Sequence, residues 1–291
     1  MPAVSDAPLI ILGCGFVGGH LARAALAQGR QVRVLSRSMP KLAPLVELGA
    51  EAKYIDVAQP KQLPVVLAGM HGATVVYSIP PGGQMSPGAA MRVTLQAAYG
   101  AGAKCFIYFS SSGLYGSAPD DDTWVDEETP IAHDDPPMKN IMTDEEVLSA
   151  DERMRTVILR LAPVYGGGKG VRKSMLEGKY RILDEGQHVT SRIYIADVCR
   201  IVFACEDRAP ARSKFLVADD EPTTQLAYAT WLADRLGLPL PPFRSQFEPG
   251  KPRVAHRNRK IRNALLKTTL DLELAFPSFR EGEAQIEAEL G

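Results

Sequence analysis

Three glycines, a run of serines and a few isolated polar residues carry the chemistry open to this sequence. Gly13, Gly15 and Gly18 have the spacing G-x-G-x-x-G, with Phe16 and Val17 between the last two. Between a strand and a helix, the first glycine makes the tight turn, the second lets backbone approach a pyrophosphate and the third lets the helix pack close. The free amides and positive end of that helix favour phosphate. The expectation is a bound dinucleotide. Ser36 and Arg37 follow the second strand, where an NAD site usually offers a carboxylate and an NADP site can offer arginine. Arginine fits a phosphate through paired N–H groups, so NADP is the expected cofactor and NAD the second choice. Asp56 closes a later strand and is a candidate for the adenine amino group, although aspartate is also an ordinary turn residue.

A second set of groups could act on a substrate. Ser110, Ser111 and Ser112 end an apolar strand, and Tyr115 follows a few residues later. A hydroxyl there could orient a substrate oxygen, and Tyr115 or Lys139 could hold or move a proton. His133 has a near-neutral reference pKa but lies in an acidic stretch with Asp134 and Asp135, where a surface role is the plainer reading. Arg192 is a candidate for an anionic substrate, Asp197 for organising the segment around it, and Arg160 for a structural strand-end role. Lys169 sits in a glycine-rich loop, Gly166 to Gly170, readable as a lid, an anion contact or plain surface. Cys14, Cys105, Cys199 and Cys205 lack zinc or C-x-x-C spacing and read as reduced, mostly buried thiols. No histidine pair has metal-ligand spacing, so no metal is expected; a G-x-S-x-G elbow is also absent.

Short apolar strands alternating with helical stretches position these groups. Strands are expected at 9–12, 32–36, 52–55, 74–78, 105–109, 156–161 and 215–218, and helices at 17–28, 42–48, 89–98 and 223–236. Ser78 ends the fourth strand and joins the cofactor candidates. This alternation implies βαβ units and a doubly wound parallel sheet of Rossmann type, covered on both faces, with ligands beyond the carboxyl ends of the strands. Residues 117–137 are acidic and proline-rich and read as a long surface loop. A helix is expected to start at Asp144, with Thr143 and Glu146 as a capping box. The division read from the chain is a dinucleotide-binding core over 1–165 and a small substrate lobe mixed with returning core elements over 166–291.

Composition sets limits. The 291 residues are 45% hydrophobic and 23% charged, as in an ordinary globular protein. A net charge of -1 argues against a general nucleic-acid binder, which needs a basic face. No apolar run approaches membrane-spanning length, and the N-terminal apolar stretch lacks a charged leader. A cytoplasmic protein with a small-molecule partner is expected; the sequence is compatible with a homodimer but exposes no surface for it.

The combined pattern resembles the extended short-chain dehydrogenase/reductase family, especially atypical members near the nucleotide-sugar epimerases and dehydratases. The glycine turn, Asp56-Val57 as an adenine-side dipeptide, FSSSGLYG, LRLAPVYGGGKG, SRIYIADVCRIV and KIRNALLKTTLDLELAFPSFREG carry the resemblance over nearly the whole chain. It implies a catalytic serine at Ser111, with Tyr115 downstream; Ser112 and Arg192 are the substrate-binding candidates. It also implies a Tyr-x-x-x-Lys acid/base pair, which this chain lacks: the helix reads PPMKNIMTDEEVL, placing Pro137 or Met138 at the tyrosine and Ile141 or Met142 at the lysine. Neither methionine nor isoleucine exchanges a proton. The reaction therefore uses other residues, or the reduced bond needs less acid catalysis, or the chain binds without turnover. The leading expectation is an atypical NADP-dependent oxidoreductase or epimerase-like enzyme acting on a small polar or nucleotide-sugar substrate. The alternative is a noncatalytic NADP-binding regulator or scaffold.

Overall fold

The computed structural model describes residues 6–80, 86–116, 123–131, 136–245 and 258–290. Seven parallel strands form its central sheet: β1 (Leu9–Leu12), β2 (Val32–Ser36), β3 (Glu51–Tyr54), β4 (Thr74–Tyr77), β5 (Cys105–Ser111), and, after the two-residue β6 (Trp124–Val125), β7 (Arg155–Leu161). The seventh is β12 (Ser213–Val217), reached after four two-residue strands, β8 (Val164–Tyr165), β9 (Ile182–Leu183), β10 (Val189–Thr190) and β11 (Ile193–Tyr194). The order across the sheet is β12-β7-β5-β4-β1-β2-β3. All four side chains of β1 are buried, as a strand covered on both faces requires.

Helices α1 (Phe16–Ala27), α2 (Ala43–Glu47), α7 (Ile195–Arg208) and α9 (Ala264–Leu270) cover one face. On the other lie α3 (Leu63–Leu67), α4 (Ala89–Gly100) and α5 (Pro136–Ser149). The strand order reverses beside β1, whose neighbours are β2 and β4. This opens a crevice at the strand ends, the usual ligand position in such sheets. The doubly wound α/β class follows the sequence reading.

Beyond the sheet, α6 (Val171–Leu176), α8 (Gln225–Leu236) and α10 (Phe279–Leu290) pack with the short strands into a lobe. Arg172 of α6 bonds Glu283 at 2.5 Å and Glu287 at 2.6 Å, both on α10, and Arg235 of α8 pairs with Glu287 at 2.7 Å. Asp197 at the start of α7 accepts the amides of Ala275 and Phe276 at 2.9 and 2.8 Å. It therefore ties the core to the segment entering α10.

Two local expectations change. The helix expected from Asp144 begins at Pro136, because proline is tolerated in a first helical turn, where its missing N–H costs nothing. Thr143 consequently lies inside the helix and donates to the carbonyl of Lys139 at 3.0 Å instead of capping. The acidic stretch read as surface loop contains β6, which pairs in parallel with the two-residue strand Lys260–Ile261 and buries Val125. Only long-range pairing reveals so short a strand.

Candidate functional site

The crevice contains a cavity of about 830 Å³ formed by the ends of β1 to β4, lined by Gly13, Ser36, Arg37, Asp56, Val57 and Ser78 among others. The three glycines serve it differently. A Cβ on Gly13 would lie 2.8 Å from the Ser78 carbonyl oxygen, and the residue holds φ +94°. A Cβ on Gly18 would lie 2.2 Å from the Gly13 carbonyl, so α1 could not approach the turn. A Cβ on Gly15 would meet nothing within 4 Å: its backbone borders open space at the uncapped start of α1. That arrangement fits a pyrophosphate against free amides. Phe16 instead packs toward the Gly166–Gly170 loop, with the Lys169 ammonium 5.4 Å from its ring centre. Val17 is half-buried against the adjoining core.

The other cofactor candidates are at the rim. Arg37 is exposed, and the Ser36 hydroxyl accepts the Ser38 amide at 3.1 Å. Asp56 accepts the Ala58 amide at 3.1 Å, the turn role its residue type allows. Burial pushes the Cys14 thiol up to about 12, so it stays protonated at neutral pH.

At the end of β5, the half-buried Ser111 accepts the Gly113 amide at 2.9 Å, and Ser112 is buried. Met138 Sδ lies 3.2 Å from where a Cβ on Gly113 would stand, and Ser111 Oγ lies 2.9 Å from the same point. Lys139 is exposed on α5. His133 lies outside the described residues.

The Tyr115 side chain is engaged by Arg160. Its buried hydroxyl accepts a hydrogen bond from Arg160, whose guanidinium is paired with Glu145 of α5 at 2.6 Å. Glu145 also accepts the Ser110 hydroxyl at 2.5 Å. Burial raises the Tyr115 pKa, against the pull of Arg160. The group expected as a proton donor is thus held within a structural network, and Arg160 has the structural role read from its position.

Arg192 occupies a second cavity of about 140 Å³, also lined by Tyr165, Tyr180, His188, Thr190, Gln225 and Tyr228. Its guanidinium is buried and stacks 4.3 Å from the Tyr228 ring centre. Nη1 has no hydrogen-bond partner. Burying a cation carries a desolvation cost, offset here in part by the rings of Tyr228 and Phe279. Pro163 and Val164 bring the cavity next to the end of β7, on the same edge of the sheet as the dinucleotide crevice.

The comparisons agree with this geometry. A family model described as NAD(P)H-binding matches residues 13–206. The chain belongs to that NAD(P)H-binding family. Among curated proteins, none matches in sequence. Among solved structures, a functionally unknown conserved protein from Silicibacter pomeroyi DSS is 26% identical, with TM-score 0.82 over 97% of this chain and 99% of that one. A putative NAD-dependent epimerase/dehydratase from Methylobacillus flagellatus is also 26% identical, with TM-score 0.77 over 98% and 99% of the two chains. DesIV, a dTDP-glucose 4,6-dehydratase from Streptomyces venezuelae with NAD and TYD bound, shares the fold at 20% identity and TM-score 0.81 over 96% and 95%. The extended short-chain fold expected from the sequence is therefore present.

The expected NADP preference is corrected. The dinucleotide in DesIV and in the other nucleotide-sugar enzymes found with this fold is NAD. In this chain Arg37 is exposed and lines the crevice, and the Ser36 hydroxyl accepts the Ser38 amide. No helix among the described residues is long and apolar enough to cross a membrane.

Proposed function

We propose that this protein is an NAD-dependent oxidoreductase of epimerase or dehydratase type, acting on a small anionic substrate of nucleotide-sugar class. The similarity to enzymes of this fold supports an enzymatic role. The observation carrying the substrate reading is the buried guanidinium of Arg192, whose Nη1 lacks a hydrogen-bond partner, in a cavity at the same sheet edge as the dinucleotide crevice. MoeE5, a protein of this fold, is known with UDP-glucose and NAD together.

In this reading Gly13, Gly15, Phe16, Val17 and Gly18 hold the pyrophosphate half of the cofactor. Asp56, Val57 and Ser78 line its remaining path. When bound, NAD supplies a hydride acceptor. Ser111 orients a substrate oxygen, Ser112 shapes the wall behind it, and Arg192 anchors an anionic group. The thioether of Met138 beside Ser111 moves no proton, so the proton at the substrate oxygen exchanges through water or the substrate itself. Tyr115 supports this wall through Arg160.

The Met138 position also favours a second reading, an NAD-binding regulator without turnover. Calorimetric titration with NADH and NADPH, after any bound nucleotide is stripped, tests the cofactor. Incubation of the NAD-loaded protein with UDP-glucose and dTDP-glucose, followed by sugar-nucleotide product analysis and nicotinamide absorbance, tests the chemistry. NADH binding with a changed sugar supports the enzyme. NADH binding with every sugar nucleotide unchanged supports the regulator, and failure to bind NADH overturns both.

A further inference from the structure

The lobe contains an acid and a base on neighbouring segments that do not pair: Arg192 lines one cavity, and Asp219 lines another with Trp124, Asp220 and Asn263. Asp219 follows β12, and its amide donates to the Arg192 carbonyl at 2.7 Å. This bond holds the two segments side by side. Arg192 is 5% exposed and Asp219 0%. Both carboxylate oxygens of Asp219 lack a hydrogen-bond partner, as does Nη1 of Arg192. The carboxylate lies near the amides of Arg192 and Glu221, but its buried oxygens meet hydrogen-bond geometry with neither.

The neighbouring charges are already matched. Asp220 accepts from Asn263 at 2.7 Å and Lys267 at 3.1 Å. Glu283 accepts from Arg172 and from Tyr228, each at 2.5 Å. The Tyr194 hydroxyl donates to Glu289 at 3.3 Å. Tyr165, whose hydroxyl is buried without a partner, feels both Asp219 and Arg192. His188 lines the Arg192 cavity. Local pairing thus leaves Arg192 and Asp219 over, one of each sign.

We propose that Asp219 controls anion binding at Arg192 from the neighbouring segment: an anionic substrate group binds Arg192 when Asp219 carries a proton, and ionised Asp219 competes with that group for the guanidinium. The proposal rests on the reading of Arg192 as the substrate anchor and adds the residue controlling it. Binding above the Asp219 pKa then takes up one proton from solvent, which stays on the carboxyl oxygen until the anion leaves.

Burial pushes the Asp219 carboxyl up to about 8, with Arg192 pulling the other way. The sign of the pH dependence follows. Below that value Asp219 is neutral and anion affinity does not depend on it. Above it, each anion bound must bring a proton, so affinity falls as pH rises.

The test titrates the full-length, NAD-saturated protein calorimetrically with sulfate and, separately, with UDP, in buffers of different ionisation enthalpy. Between about pH 7 and about pH 9.5, linkage to one such carboxyl weakens binding about thirtyfold, with roughly one proton taken up at the alkaline end. Asp219→Asn should bind with an affinity lacking that slope, and Arg192→Gln should lose binding throughout. A flat wild-type profile, or an unchanged slope in Asp219→Asn, overturns this control. If Asp219→Asn does not fold, proton uptake by the wild type decides. Sulfate binding with UDP rejected supports the control for a small oxyanion and removes the nucleoside diphosphate. NADH binding with neither anion bound overturns the control and the Arg192 anchor but leaves the cofactor reading standing.

Discussion

Ser111 Oγ and Met138 Sδ converge on Gly113, where a Cβ would lie 2.9 Å from the hydroxyl and 3.2 Å from the thioether. The serine keeps its place at the end of β5, while the helix opposite offers a side chain with no proton. If Ser111 positions a substrate oxygen, Ser111→Ala should lower turnover by about ten- to a hundredfold, the loss expected for one positioned hydrogen bond. NADH affinity should stay within about twofold, because the hydroxyl lies outside the glycine turn. Unchanged turnover on a substrate the wild type converts would remove Ser111 from the reaction.

Supplying the missing pair asks a different question. Met138→Tyr with Met142→Lys places a phenol beside Ser111 and an ammonium one turn on, using a helix face already in position. An acid at the substrate oxygen is worth about a hundredfold or more when correctly placed. Epimerase or carbonyl-reductase activity on UDP-glucose or its 4-keto form should therefore rise by at least about tenfold over wild type. No gain in a folded double variant that still binds NADH would show that this face does not meet the reacting oxygen.

The glycine turn gives a prediction that separates folding from binding. Gly18→Ala forces a Cβ to 2.2 Å from the Gly13 carbonyl, so α1 must move. It should lose about 2 kcal/mol or more of stability to urea, in the range of overpacking in a tight contact, together with NADH binding. Gly15→Ala meets no protein atom within 4 Å. Its stability should remain within about 1 kcal/mol, while NADH weakens by about tenfold or more because the methyl enters the space beside the phosphate path. Equal destabilisation by both would contradict this division.

These glycines were legible in the sequence because their demands are local: a turn, an open backbone and a close helix. The sheet was legible for the same reason, since buried parallel strands must be short apolar runs. The Tyr115 hydroxyl was not. Its partner Arg160 is 45 residues away and Glu145 lies on a third element, so no local spacing announces the network. The start of α5 was obscured by Pro136 and Pro137, which read as a loop in isolation but fit a helix's first turn. The Arg192–Asp219 arrangement was hidden more deeply, because its content is the absence of pairing between neighbours.

Asp144, one position before the network residue Glu145, tests how the same helix responds to pH. It is buried, and Tyr108 donates to it at 3.4 Å. Burial raises its pKa to about 6, opposed by the Tyr108 hydrogen bond and by Arg92. The folded value exceeds the ordinary carboxyl value of 3.8, so the protonated form is favoured by folding. Its contribution is complete below about pH 4 and is lost as pH rises through about 6. Allowing for partial solvent screening, the loss should be about 1–2 kcal/mol. Asp144→Asn keeps an acceptor for Tyr108 but removes the ionisation. It should unfold at higher urea than wild type at neutral pH and show a flatter stability profile between about pH 4 and about pH 6. Urea midpoints across that range decide the matter: parallel curves for the two proteins would mean that Asp144 ionises without cost to the fold.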